Sequence, residues 1–179
     1  MAFDFQPMLQ GELLTLRPLR PDDFEALFSV AADPLIWEQH PASDRCQDGP
    51  FRVFFDEGLR SGGALVACDA RDGRIIGSSR FHAYDEARSE VEIGWTFLAR
   101  AYWGGRYNGE MKRLMLHHAF RFVEHVVFLV HPRNRRSQRA VEKIGGVRIG
   151  TRQGGSGREA LLYEISASTW RSPTQPRTR

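Results

Sequence analysis

The sequence is poor in the features that would commit it to a stapled, metal-bound or membrane-spanning design. Cys46 and Cys68 are its only cysteines, and they have no metal-like spacing, so neither a disulfide framework nor a zinc site is indicated. No metal is expected, and a reduced, cytoplasmic setting fits. Met1-Ala2-Phe3-Asp4 lacks the basic start and apolar stretch of a signal peptide, and no apolar run reaches the length of a membrane span. Lysine is scarce and arginine supplies most of the positive charge, but a net charge of +3 over 179 residues is too small to argue for nucleic acid by itself. The most biased stretch, 133–158, carries Arg133, Arg135, Arg136, Arg139, Lys143, Arg148, Arg152 and Arg158 against the single acid Glu142. It contains no aromatic residue, and base stacking needs aromatics between the cations. A nucleic-acid partner is therefore not expected; the cluster reads as a solvated face or as a rim that faces phosphate.

What is present suffices for one core. With 41% hydrophobic residues, residues 1–170 read as a single domain. The tail 171–179, with Pro173, Pro176, Arg177 and Arg179, is expected to be disordered. Leu13–Leu19 reads as a strand at an edge because of Pro18. Pro21-Asp22-Asp23 opens a helix with the apolar stripe Phe24, Leu27, Phe28 and Ala31. A short helical turn starts at Asp33-Pro34, His40–Cys46 is loop, and Phe51, Phe54, Phe55 and Leu59 mark a helix over Pro50–Arg60. Ala64–Asp69 and Ile75–Tyr84 are strands joined by a tight hairpin at Arg71-Asp72-Gly73.

The chain is organised around Ser89–Phe122. Glu90–Leu98 alternates in character and is rich in β-branched and aromatic types, the mark of a strand with one face in a core. After Trp103-Gly104-Gly105-Arg106-Tyr107-Asn108, apolar residues at Met111, Leu114, Met115, Ala119 and Phe122 fall at helical spacing, with Asn108 as the expected N-cap. A helix N-terminus behind two glycines can donate several amide hydrogen bonds to a phosphate. The glycines can equally serve turn geometry alone. Val126–Val130 is a short apolar run, a strand covered on both faces and parallel to Glu90–Leu98 because a helix links the two. A helix from Asn134 or Ser137 stops at Gly145-Gly146, and strands Val147–Thr151 and Glu159–Ile165 close the domain.

The run Glu92-Ile93-Gly94-Trp95 through Trp103–Asn108, followed after a strand by Asn134-Arg135-Arg136-Ser137-Gln138-Arg139-Ala140-Val141-Glu142-Lys143-Ile144-Gly145-Gly146, resembles the GNAT superfamily of acyl-CoA-dependent N-acetyltransferases. Within it the chain is most similar to the ribosomal-protein N-terminal acetyltransferase branch, over roughly residues 11–166. The resemblance implies an α/β (α+β) fold: a mixed, mainly antiparallel twisted sheet of 6–7 strands with helices on both faces and a splay between two parallel central strands. It implies an acetyl-CoA cosubstrate whose pantetheine arm threads the splay, with cofactor-binding residues Thr96, Phe97, Leu98, Trp103, Gly104, Gly105, Arg106, Tyr107, Asn108, Asn134 and Ser137. One departure from the usual R/Q-x-x-G-x-G/A pattern stands out. Arg106 occupies the place of the middle glycine, so Gly105 is expected to take the unusual backbone angles.

The implied reaction is transfer of acetyl to a primary amine of a small molecule or a peptide N-terminus, by direct attack in a ternary complex. It needs a proton acceptor for the amine, a donor to the thioester carbonyl and a proton for the departing thiolate. Glu92, on the strand beside the thioester, is the leading base and His82 the second; Ser137 occupies the family's acid position. The resemblance also turns Trp37 and His40 toward the substrate, although Trp37 could equally be core. A non-catalytic acyl-CoA-binding domain is the competing reading, and either a monomer or a homodimer is compatible.

Overall fold

The computed structural model describes residues 2–154 and 157–170; the tail 171–179 lies outside the described residues. Eight strands form one sheet: β1 (Leu9–Gln10), β2 (Leu14–Pro18), β3 (Ala64–Asp69), β4 (Ile75–Asp85), β5 (Glu90–Leu98), β6 (His125–Val130), β7 (Val147–Gln153) and β8 (Glu159–Ser166), in the order β1-β2-β3-β4-β5-β6-β8-β7. Every neighbouring pair is antiparallel except β5 and β6. Five helices cover it: α1 (Phe24–Ala31), α2 (Pro34–Trp37), α3 (Asp48–Ser61), α4 (Tyr107–Ala119) and α5 (Arg135–Lys143). The strand beyond the expected six or seven is β1, whose two residues are too few to show an alternation. It pairs with Leu16 and Thr15, so β2 is not outermost, and Pro18 lies past the end of that pairing.

Two apolar layers sandwich the sheet. On one face Phe81, Val91, Ile93, Met111, Met115 and Leu116 pack α4 against β4 and β5. On the other, Leu27, Trp37, Phe51, Phe54, Phe55 and Phe97 pack α1–α3 against β3–β5. The hairpin after β3 is the expected tight turn, with Gly73 at φ +74° and Asp69 N donating to Arg74 O (2.9 Å). The 40–46 segment, expected as loop, contains a 3-10 turn at Ser43–Cys46.

The long strand β5 carries an insertion that sets up the site. Ile93 faces the α4 layer, yet Phe97 faces the opposite layer and Leu98 returns to the first, which strict alternation forbids. The extra residue sits at Trp95, in the left-handed region at φ +51°. Between the pairs Arg80↔Gly94 and Ser78↔Phe97 the register with β4 shifts there, as a β-bulge requires. For a tryptophan that conformation costs about 1–2 kcal/mol, so the surrounding pairing must hold it in place.

One long-range tether fixes α4 against the sheet. The buried Glu110 carboxylate accepts the backbone N–H groups of Glu12 (3.1 Å), Leu13 (2.7 Å) and Leu14 (3.0 Å). The contact admits nothing larger than Gly11 beside it, because a Cβ there would stand 2.5 Å from Glu110 Oε2.

Candidate active site

The parallel pairing of β5 with β6 covers only Glu90↔His125, Val91↔Val126 and Glu92↔Val127. Past Glu92 the two strands diverge, and a cavity of about 850 Å³ opens between them. Its floor is Ile93–Leu98 and Phe128–Val130. One end is bounded by Trp103, Gly104, Gly105 and Asn108, with the expected Arg106 and Tyr107 outside the lining, and the other by Trp37, His40 and Arg45. The bulge at Trp95 thus stands where the strands part, with the β6-facing edge of Thr96–Leu98 out of the ladder.

At the turn end, backbone donors are left free. The first backbone hydrogen bond of α4 is Glu110 N to Arg106 O (2.8 Å), and no side chain caps the helix. The amides ahead of Glu110 are therefore available to a ligand. Two sequence expectations are corrected here. The N-cap is Arg106, in the right-handed region at φ −82°, and Asn108 lies inside the first turn. The left-handed residue is Gly104, at φ +70°, not Gly105, where an added Cβ would meet nothing within 4 Å. The turn is reshaped one residue earlier than the glycine pattern suggests, which lets Arg106 keep an ordinary conformation.

Side chains buttress this turn. The buried Asp69 accepts from Arg71 Nη2 (2.7 Å) and from Tyr102 Oη (3.0 Å), so that hydrogen bonding to Arg71 holds its carboxyl well below the usual range. Tyr102 in turn packs edge-on against Tyr107 (4.8 Å). The Trp103 indole donates to Leu98 O (2.8 Å), and the Arg136 guanidinium lies 4.2 Å from the Trp103 ring centre. Arg136 also donates to Ile36 O (2.6 Å), and Arg100 is ion-paired with Asp33. These contacts tie α2 and α5 to the turn across the mouth of the cavity.

Asn134 is the N-cap of α5, its Oδ1 accepting from Ser137 N (3.0 Å), and both residues line the cavity. So do Arg135, Arg139 and Lys143, while Arg152 is turned away into a two-point ion pair with Glu90 (2.6 and 3.1 Å). Part of the basic cluster therefore faces the cavity and part serves structure.

Glu92 and His82 face each other across β5 and β4. Glu92 is buried, and burial, with Glu90 adding, pushes its pKa up to about 7 against the pull of Arg152 and Arg80. Glu92 is outside the cavity lining, although its Oε1 lies 3.3 Å from where a Cβ on Gly94, a lining residue, would stand. His82 is exposed, edge-on to Trp95 at 5.0 Å, and outside the cavity lining. Trp37 is buried, donating to Ala31 O (2.8 Å), and also borders the cavity. Its two readings, core and cavity wall, both describe it. His40 borders the cavity beside it, and burial, then the charge of Arg45, pulls its pKa down to about 4.

Sequence reasoning missed Lys112. It lines the cavity floor, 5% exposed, with Nζ donating to Ser79 Oγ (3.1 Å) and to Thr96 Oγ1. Burial alone pushes its pKa down to about 7. The available signal was a lysine interrupting the stripe of Met111, Met115 and Leu116 on the buried side of α4.

The matching family model is described as an acetyltransferase (GNAT) domain and covers residues 14–147. The chain belongs to the GNAT acetyltransferases. Among solved structures it is similar to an acetyltransferase from Agrobacterium tumefaciens, at 25% identity and TM-score 0.71, covering 92% of this chain and 96% of that one. A GCN5-related N-acetyltransferase from Brucella melitensis shares the fold at 20% identity and TM-score 0.80, covering 92% and 80%. Mycobacterium smegmatis RimJ, solved with CoA-disulfide, does so at 20% identity and TM-score 0.66, covering 90% and 87%. Among curated proteins, none matches the chain.

Proposed function

We propose that the protein transfers the acetyl group of acetyl-CoA to a primary amine, of a small molecule or a peptide N-terminus, by direct attack in a ternary complex. The observation that carries this reading is the continuity of the cavity, which runs from the free amides of the Gly104 turn, along the unladdered edge of β5, to an aromatic end at Trp37. The residues fit the group: unpartnered amides with Arg135 and Arg139 nearby suit the phosphates, and the open edge of Thr96–Leu98 suits the amides of a pantetheine arm. The neighbouring RimJ structure with CoA-disulfide supports the same assignment.

Acetyl-CoA supplies an activated thioester, and this chain's residues do the rest. An amide on the unpaired edge of β5 beside the bulge would donate to the thioester carbonyl, a donor held by the strand before the reaction. Glu92 takes the amine proton directly or through water. Its pKa of about 7 keeps a useful fraction ionised near neutral pH. Neither side chain lines the cavity, but Glu92 is buried with its carboxyl beside the cavity-lining Gly94 while His82 is exposed, so Glu92 is preferred for this role. Ser137, which lines the same cavity, is the candidate to return a proton to the thiol. Thiol release from acetyl-CoA, measured against a panel of amines and peptide N-termini, tests the reading. Tight CoA binding with no acceptor-dependent thiol release would favour the non-catalytic alternative.

A further inference from the structure

The acceptor end of the cavity is lined by the guanidinium of Arg45, and a second guanidinium, that of Arg80, lies buried behind it outside the lining. Arg45 and Arg80 both lie over the ring of Phe54, at 4.5 and 5.6 Å from its centre, and Arg80 also lies 4.7 Å from the centre of Trp95. Arg80 is 5% exposed; among the described residues its Nε has no partner, and its Nη2 donates to Phe54 O at 3.5 Å. Arg45 lines the cavity, and its one polar neighbour is His40 Nε2 at 3.4 Å. That neighbour is not an acceptor. His40 Nδ1 accepts from Ala42 N (3.0 Å), so the neutral ring carries its proton on Nε2 and presents a donor to Arg45. Asp44, Glu57 and Glu92 are the acids whose charge reaches the pair, and among the described residues none closes to an ion pair with either arginine.

Two like charges, withdrawn from water and sharing one ring, are destabilising unless an anion joins them. Burial accordingly lowers the pKa of both. The open donors of Arg45 point to a ligand group with acceptor oxygens, and a planar guanidinium fork matches a carboxylate at two points.

We propose that the acceptor amine carries a carboxylate, read by Arg45 with Arg80 behind it, in an aromatic pocket formed with Trp37 and Phe54. The inference rests on the acetyl-transfer reading of the same cavity. The carboxylate could be the α-carboxylate of a free amino acid or an acidic side chain of a peptide, and two matched pairs separate these. One pair is phenylalanine against phenylalanine amide; the other is the dipeptide amides alanyl-glutamate and alanyl-glutamine.

For each pair, kcat/KM is measured by thiol release, and affinity by calorimetry on protein saturated with CoA. A preference of about tenfold or more for the acid in either pair, the scale of a charge-assisted hydrogen bond, is expected, and Arg45→Gln should remove most of it. Should Arg45→Gln melt early, Arg45→Lys keeps the charge without the fork and should still shrink the preference. Equal values within both pairs, or a preference that survives both substitutions, would overturn the proposal. Absence of thiol release with every acceptor would contradict acetyl transfer instead, and the calorimetric arm would still decide the carboxylate.

Discussion

Lys112 Nζ stands 3.1 Å from Ser79 Oγ on the cavity floor, bonded to hydroxyls and to no carboxylate. Lys112 and Lys143 are the only lysines of the chain, and one of them is almost fully buried. With its pKa at about 7 in the folded protein and 10.5 as the ordinary value, the native state lacks a proton that the unfolded chain holds throughout that interval. Stability from this group therefore rises as pH goes from about 7 to about 10.5, and the cost of burial is fully present below 7. Lys112→Met should flatten that rise and raise the urea midpoint most near pH 6. A midpoint that keeps the wild-type pH slope would show that the lysine is not buried as described.

Gly104 rather than Gly105 carries the left-handed conformation of the turn proposed to hold the CoA phosphates. Gly104→Val should weaken CoA binding by tenfold or more, because a β-branched residue at positive φ is strained by about 1–2 kcal/mol and the turn would rearrange. Gly105→Ala, with open space around its added Cβ, should bind within a few-fold of wild type. Calorimetry with CoA checks both, and the reverse ranking would sink this geometry for the turn.

Much of this framework was legible in the sequence because it is local. The alternation of Glu90–Leu98 and the helical stripe from Met111 to Phe122 gave the strand, turn and helix directly, and the motif residues gave the family. What escaped depends on contacts between distant segments. The insertion at Trp95 shows only once β4 pairs alongside, and the shift from Gly105 to Gly104 follows from where the helix closes its first hydrogen bond. Arg45 meets Phe54 and Arg80 through packing of α3 on the sheet, which no periodicity encodes. Glu110 forms its bonds to Glu12, Leu13 and Leu14 across nearly a hundred residues of chain, a contact that no local pattern marks.

The Glu110 tether yields a stability test. Glu110→Ala leaves the buried N–H of Leu14 without its acceptor, at a cost of about 1–3 kcal/mol, while water can reach the N–H groups of the exposed Glu12 and half-buried Leu13. A loss of about 1–3 kcal/mol in denaturant melts is expected, with CoA binding weakened because the proposed cradle rides on the same helix. A loss below about 1 kcal/mol would mean that water replaces the carboxylate freely.

Glu92 gives the pH signature. Its raised pKa means that kcat/KM should climb through about pH 7 as the carboxyl ionises, well below the titration of a simple alkylamine. Glu92→Gln should lose that limb and fall by roughly 10²–10⁴-fold, with CoA affinity kept. The same substitution has a stability signature. The native carboxyl holds its proton between about pH 4.5 and 7 while the unfolded one does not, so wild-type stability from this group falls as pH rises through that window. Glu92→Gln should remove the fall, and His82→Gln should leave both profiles close to wild type. A large drop in His82→Gln with normal rates in Glu92→Gln would move the base to the histidine.

The central claim is acyl transfer within the β5–β6 cleft, and the most direct measurement pairs two readouts in one reaction. Acetyl-CoA and the amine panel are incubated with the protein, free thiol is followed continuously, and the acceptors are weighed by mass spectrometry. One thiol released for each acetyl group gained by an acceptor, at a rate that Gly104→Val and Glu92→Gln both reduce, is the expected result. Thiol release that stays at the buffer rate with every acceptor, from protein whose melting temperature rises with CoA, would contradict it.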